Sequence, residues 1–387
     1  FRSYQEGPLG SPSSTTNQAR VTYAALYPDP LGRLQAVANY GTNGGSALSR
    51  PGIIPSRSET ILVTSQSYDD AGNLATTTNP VSMVTRWEYD DAGRRLQIVE
   101  NELSTSSSSS SSSSSGGGGC QPSADANRTT NLTYTPDGQV STLEAVNAAT
   151  GNQVTQYVYG TTRSDSALAS SLLLRSVIYP GSVSGSDQVW LTYNRQGQRT
   201  SLTDQNGSVH QFDYDLLGRV TQDRVTTLGT AVDGAIRRIE TAYEVRGLVQ
   251  RLSSLTSATV GSGSTANEVR FGYNDFGQAT DTWQAHAGAV NTMTSPKVQR
   301  GYADGSANTV RPTSLTFPNG RVQTYDYGAT DGLNDRLSRV ASFIDDDTTS
   351  LAAFAYLGLG SVVEQTSPEA DLQYTLDHLG ELVVKEV

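Results

Sequence analysis

A tyrosine followed four residues later by a glycine occurs at Tyr40/Gly44, Tyr68/Gly72, Tyr89/Gly93, Tyr134/Gly138, Tyr193/Gly197, Tyr214/Gly218, Tyr243/Gly247, Tyr273/Gly277 and Tyr356/Gly360. At this glycine frequency the tyrosines would yield about two such pairs by chance. Nine are present, so the spacing is a repeat. A chain built this way lays down one supersecondary unit many times, and its size follows repeat number rather than the volume of a single core.

The residues around each pair say what the unit is. Tyr68-Asp-Asp-Ala-Gly-Asn-Leu74, Tyr134-Thr-Pro-Asp-Gly-Gln-Val140, Tyr214-Asp-Leu-Leu-Gly-Arg-Val220, Tyr273-Asn-Asp-Phe-Gly-Gln-Ala279 and Tyr356-Leu-Gly-Leu-Gly-Ser-Val362 share one layout. Asp or Asn after the tyrosine suits the first position of a type I turn, and glycine at the end accepts the positive φ that a Cβ penalises. Together they predict a β-hairpin loop closed by a bulge. Before each turn an apolar residue stands two positions ahead of the tyrosine, as in Trp87/Tyr89, Leu132/Tyr134, Leu191/Tyr193, Phe212/Tyr214, Phe271/Tyr273, Phe354/Tyr356 and Leu372/Tyr374. Period two puts both on one face of a sheet, predicted to be the buried one. Asn206-Gly207 and Asn319-Gly320 are read as second turns, because Asn and Gly both tolerate positive φ. The fold class expected is therefore all-β, an antiparallel β-hairpin repeat strip.

Composition agrees and removes other classes. Tyr 19 and Gly 37 against Phe 7 favour strands and turns over long helices. A net charge of −11, with Lys297 and Lys385 the only lysines, argues against a nucleic-acid partner, which needs clustered positive charge. No apolar run reaches the ~18–20 residues of a membrane-spanning helix. The lone Cys120 allows no internal disulfide. The chain opens at Phe1 with no initiator methionine and no leader pattern, and is read as an internal or processed piece.

Three regions are expected: repeats with irregular N-terminal loops over 1–103, a Ser/Gly-rich low-complexity insertion over 104–126, and repeats again over 127–387, all one continuous array. The Ser104 to Gly119 run has no apolar side chain to offset the entropy of ordering. Gly41 to Ser58 reads as an irregular loop, and Asp165 to Ile178 is the one segment where a short helix is plausible.

Tyr-Asp-x-x-Gly-Arg-Leu/Val at these spacings resembles the RHS or YD repeat family, most clearly in Asp204-Gln-Asn-Gly-Ser-Val-His-Gln-Phe-Asp-Tyr-Asp-Leu-Leu-Gly-Arg-Val220 and Phe317-Pro-Asn-Gly-Arg-Val-Gln-Thr-Tyr-Asp-Tyr327. The match runs from about Tyr23 to Val387, and its second half is similar to repeat regions of very large RHS proteins of the planctomycete type. The resemblance implies a strip that spirals into a hollow shell, as in toxin-complex cocoons and the teneurin barrel. It also implies an extracellular or cell-surface location. Nothing in the chain matches the self-cleaving aspartate segment in which RHS toxins end.

Chemistry has few footholds. His210, His286 and His378 are isolated, and no metal-ligand, nucleophile-elbow or phosphate-loop spacing appears. Asp345-Asp346-Asp347, Asp69-Asp70 and Asp90-Asp91 are calcium candidates by residue type, but turn carboxylates explain them better. Sequons stand at Asn127, Asn131 and Asn206. The expectation is a non-enzymatic structural segment with no catalytic residue, metal or cofactor, forming part of a β-shell, stalk or fibre. Its partners would be other repeats of the parent chain, with a toxin cocoon enclosing a cargo domain, or a self-associating filament, as alternatives.

Overall fold

The structure is a computed structural model, which describes residues 2–6, 20–102, 126–183, 185–306, 309–368, 371–376 and 382–386. Most of the Ser/Gly insertion, Cys120 and His378 lie outside the described residues. The chain forms two compact units, the first made of Phe1–Tyr157 with Tyr179–Gly181 and Thr375–Val384, the second of Val158–Ile178 and Ser182–Tyr374 with Lys385–Val387.

In the first unit the strands are β1 (Arg2–Glu6), β2 (Arg20–Pro28), β3 (Leu34–Gly41), β4 (Leu62–Tyr68), β5 (Leu74–Thr78), β6 (Val84–Tyr89), β7 (Arg95–Glu102), β8 (Arg128–Tyr134), β9 (Val140–Ala145) and the first half of β10 (Gln153–Thr161). Each pairs antiparallel with the next in sequence. That includes β7 with β8, on either side of the Ser/Gly insertion, where Asn127 N–H donates to Asn101 O at 3.0 Å.

The second unit continues with β11 (Ser170–Ile178), β12 (Gln188–Tyr193), β13 (Arg199–Thr203), β14 (Val209–Tyr214), β15 (Val220–Thr227), β16 (Arg238–Tyr243), β17 (Val249–Leu255), β18 (Thr265–Tyr273) and β19 (Ala279–Ala285). After these come β20 (Lys297–Tyr302), β21 (Pro312–Thr316), β22 (Val322–Asp326), β23 (Ser342–Ile344), β24 (Ser350–Leu357), β25 (Ser361–Thr366) and β26 (Asp371–Leu376). Again each strand pairs antiparallel with its successor. The protein is all-β, and α1 (Leu333–Arg336) is the one α-helix among the described residues.

Local chemistry sets the register. The ladder slips by one residue just before Tyr68, Tyr89, Tyr134, Tyr193, Tyr214, Tyr243, Tyr273, Tyr302 and Tyr356, each time at the bulge beside a turn. A bulge adds local twist and re-aims the side chain at its edge. Here that side chain is the tyrosine.

Several expectations from the sequence are corrected. Asp165 to Ile178 is no helix: Ser170–Ile178 is strand β11, its Val177 opposite Val189, so pairing with β12 overrides the helix propensity of its leucine run. At the Asn-Gly turns, among Asn206, Gly207, Asn319 and Gly320, only the glycines take the positive φ that both residue types tolerate. Asp204 instead caps its loop, its Oδ1 accepting the Asn206 and Ser208 N–H groups at 2.9 and 2.7 Å. Tyr40/Gly44 is not a hairpin, since a 3-10 turn at Asn43–Gly45 follows β3.

Burial also departs from expectation. Of the apolar and tyrosine pairs expected to face a core, Leu191 is buried, whereas Trp87, Leu132, Phe212, Phe271, Phe354 and their tyrosines stay half-buried. A single layer of sheet has only its cross-strand neighbours to cover it. Full burial is reached in the first unit, on the opposite face, where Ala25, Tyr27, Ala36, Ala38, Tyr40 and Val63 form a cluster. Leu48, Ile54 and Ile61 of the irregular 42–61 loop pack on it. The three alanines leave room for that loop to lie close to the backbone. Burial raises the Tyr40 phenol above its ordinary range, with the Tyr27 hydroxyl 3.4 Å away.

Candidate functional site

The feature that recurs is a junction between successive hairpins, and the turn at Asp215 displays all its parts. Asp215 Oδ1 accepts the N–H groups of Leu217 and Arg219, both at 2.9 Å, and Gly218 N–H donates to Asp215 O at 3.0 Å. The other carboxylate oxygen accepts Arg219 Nε–H at 2.7 Å. Held there, the guanidinium extends over the next hairpin, 4.2 Å from the centre of the Tyr243 ring. The Tyr243 hydroxyl donates back to the carbonyl of Val220, the residue after Arg219, at 2.9 Å. Two consecutive residues of one hairpin thus grip one tyrosine of the next, by its ring face and by its hydroxyl.

Other junctions repeat the grip. Asp29, Arg33 and Leu34 hold Tyr68, with the guanidinium 4.3 Å from the ring and the hydroxyl 2.9 Å from Leu34 O. Asp90, Arg94 and Arg95 hold Tyr134 at 4.6 and 2.6 Å. Arg311 and Pro312 hold Tyr327 at 3.8 and 2.9 Å, and Arg339 and Val340 hold Tyr356 at 4.5 and 2.6 Å. Where arginine is missing, an amide side chain takes its place in the turn and the hydroxyl bond persists. Asn194 donates to Gln198 Oε1 at 2.8 Å while Tyr214 reaches Arg199 O at 2.7 Å. Asn274 with Gln278, and Asp69 with Asn73, accompany Tyr302 to Ala279 O (3.1 Å) and Tyr89 to Leu74 O (2.9 Å). Tyr193 and Tyr273 likewise donate to Leu174 O and Val249 O, each at 2.6 Å.

Electrostatics follow from these contacts. The backbone N–H of Arg94 and its guanidinium hold the Asp90 carboxyl below the usual range, and the N–H of Arg219 does the same to Asp215. Burial pushes the phenols of Tyr193, Tyr214, Tyr273, Tyr327 and Tyr356 up. Each hydroxyl bond contributes about 1 kcal/mol net, and an exposed arginine stack about 0.5–1 kcal/mol. Further amide and guanidinium bonds, Gln198 to Gly218 O (3.0 Å), Arg246 to Asn274 O (2.7 Å) and Gln278 to Val310 O (2.7 Å), link neighbouring turns.

Among the glycines of the sequence repeat, Gly72, Gly93, Gly138, Gly197, Gly218, Gly247 and Gly277 have φ between +76° and +93°. In the last pair Gly358 rather than Gly360 takes the left-handed conformation, in a loop between the partners Leu357 and Ser361. Two parts of the junction escape a reading of the sequence. The arginine after the glycine stands there as a motif letter without a role. The Asp29 to Arg33 turn is hidden because Pro28 lengthens the tyrosine-to-glycine spacing to five residues; a search keyed on Asp-x-x-Gly-Arg finds it.

Among the remaining candidates, His210, Asp345 and Asp347 are engaged in the fold. His210 Nδ1 lies 2.7 Å from Asp223 Oδ1. Asp345 accepts Arg321 Nε–H at 2.8 Å and Asp347 accepts the Thr349 N–H at 2.8 Å. Among the described residues no three His, Cys, Asp or Glu side chains gather where they could hold a metal ion, and no helix is long and apolar enough to cross a membrane.

Fold and junction together define a class, the all-β protein of clasped antiparallel hairpins. Within it, residues 68–102 match the RHS Repeat family. That stretch runs from the first residue of one junction, Tyr68, to the end of β7. Among solved structures, the TcdB2-TccC3-TEV crystal structure is similar at 13% identity and TM-score 0.30, over 95% of this chain and 21% of that one. The Tc holotoxin pore of Photorhabdus luminescens aligns at 11% identity and TM-score 0.27, over 96% and 23%. A porin-like protein from Bacteroides uniformis gives 10% identity and TM-score 0.15, over 76% and 92%. This chain spans about a fifth to a quarter of the length of the toxin chains it matches. No curated protein matched.

Proposed function

We propose that the chain is a wall segment of a larger secreted or cell-surface RHS protein, a non-enzymatic strip that forms part of a β-shell, stalk or fibre. The observation that carries this reading is the use made of the repeated residues: arginine and tyrosine join one hairpin to the next, and aspartate and glycine shape the turn that places them. A repeat whose recurring polar groups are taken up within its turns and against neighbouring repeats extends a wall and leaves no recurring group for chemistry. Electron microscopy of the purified chain tests it. Elongated or curved β-rich particles are expected, and a compact particle with substantial helix by circular dichroism overturns it.

A second reading, the wall of a cocoon around a cargo domain, draws on the half-buried apolar face. Phe212, Phe271, Phe343 and Phe354 lie on strand faces still open to contact, with Phe343 and Phe354 edge-to-face at 5.6 Å. An unfolded or apolar cargo would suit such a face. Limited proteolysis of the parent protein separates the two: cargo inside a wall is protected until the wall is cut, whereas a stalk protects nothing.

A further inference from the structure

Arg163 sits in the 162–169 loop after β10, and Arg195 in the turn between β12 and β13. The loop is fastened to that turn. Ala167 N–H donates to Tyr193 O at 2.8 Å, and Tyr193 N–H donates to Ser166 Oγ at 3.1 Å. Between them lies an open pocket of about 570 Å³ lined by Arg163, Ser166, Ala167, Leu168 and Arg195, within the range of small-ligand sites.

Elsewhere the arginines are spoken for. Apart from Arg163, Arg195 and Arg270, those whose side chains are described pair with a carboxylate, bond to an oxygen or stack on a ring. Arg163 and Arg195 have no partner among the described residues, yet they border one pocket. Asp165, the carboxylate nearest in the loop, is committed on both oxygens: Oδ1 accepts Thr162 N–H at 2.8 Å and Oδ2 lies 3.5 Å from Arg175 Nε. Two unneutralised guanidinium groups at one opening stand out in a chain of net charge −11.

Like charges beside one pocket repel until an anion lies between them. Guanidinium forks match tetrahedral oxyanions through paired N–H donors. The Ser166 hydroxyl, which accepts the Tyr193 N–H, keeps its own proton to donate. We propose that the Arg163/Arg195 pocket binds a sulfate or phosphate ester group. The site is independent of the clasps, since neither arginine takes part in one.

The test is calorimetric titration of the whole 387-residue chain at constant ionic strength, with inorganic sulfate, inorganic phosphate, a sulfated monosaccharide and a phosphorylated monosaccharide. Saturable binding is expected, weakened by about tenfold or more in Arg163→Gln/Arg195→Gln and unchanged in Arg270→Gln. Circular dichroism of all three proteins should superimpose. The preferred monosaccharide identifies the ester. Non-saturable binding, or equal affinity in wild type and double variant, overturns the proposal.

Discussion

Removing one hydroxyl opens a clasp without disturbing the strand that carries it. In Tyr273→Phe the ring stays and the 2.6 Å bond to Val249 O is lost, so stability should fall by about 1 kcal/mol, read as a lower urea midpoint. Tyr179→Phe, at a partly exposed tyrosine with no clasp, should leave the midpoint in place. Glycine gives the complementary test. Gly197 has φ +78°, and a methyl group added there would meet nothing within 4 Å, so Gly197→Ala carries only the backbone penalty of about 1–2 kcal/mol. Gly360 also has open space but no left-handed φ, and Gly360→Ala should change stability by less than about 0.5 kcal/mol. Equal losses at both positions would contradict the assignment of the turn to Gly358.

At the scale of the turn, the carboxylate and the arginine act as a pair, and the repeat supplies its own exchange experiment. Asp215 with Arg219 and Asn194 with Gln198 fill the same two positions. Asp215→Asn and Arg219→Gln should each lower the denaturation midpoint, and the double variant, which recreates the neutral pair, should recover most of the loss. Additive losses would show that the two side chains are not coupled. Acid should act through the same groups. Asp90 and Asp215 titrate below the ordinary carboxylate value, held there by the N–H groups of Arg94 and Arg219. Their stabilisation is complete above the unfolded value of about 3.9 and is lost as pH falls through the lowered folded value. Thermal midpoints should therefore drop below about pH 4, and Asp90→Asn/Asp215→Asn should flatten that limb. The turn was legible in the sequence because aspartate, glycine and arginine lie within five residues. The clasp was not: Tyr243 stands 24 residues beyond Arg219 and Tyr134 stands 40 beyond Arg94, with loops of unlike length between, so no fixed spacing betrays the contact. Strand β11 hid for a related reason. Its leucines favour a helix locally, and only pairing with β12 decides otherwise.

Across a whole unit, strands that pair only with their sequence neighbours make stability a chain of local terms. How weakly the apolar face would be covered was invisible in the residue pattern, because alternation reports which side a residue takes and not whether a second layer exists to meet it. With no buried apolar cluster among the described residues of the second unit to spread damage, a lost clasp there should be felt at its own junction. Tyr243→Phe frees the Val220 carbonyl and loosens the contact of β16 with β15, while β24 and β25 keep their own clasp at Tyr356. Hydrogen exchange followed by mass spectrometry should then show faster exchange in peptides covering 220–227 and 238–243, with those covering 350–366 unchanged. A uniform rise through the second unit would mean that its hairpins open together, and the one-dimensional account of the strip would have to give way to a single cooperative fold.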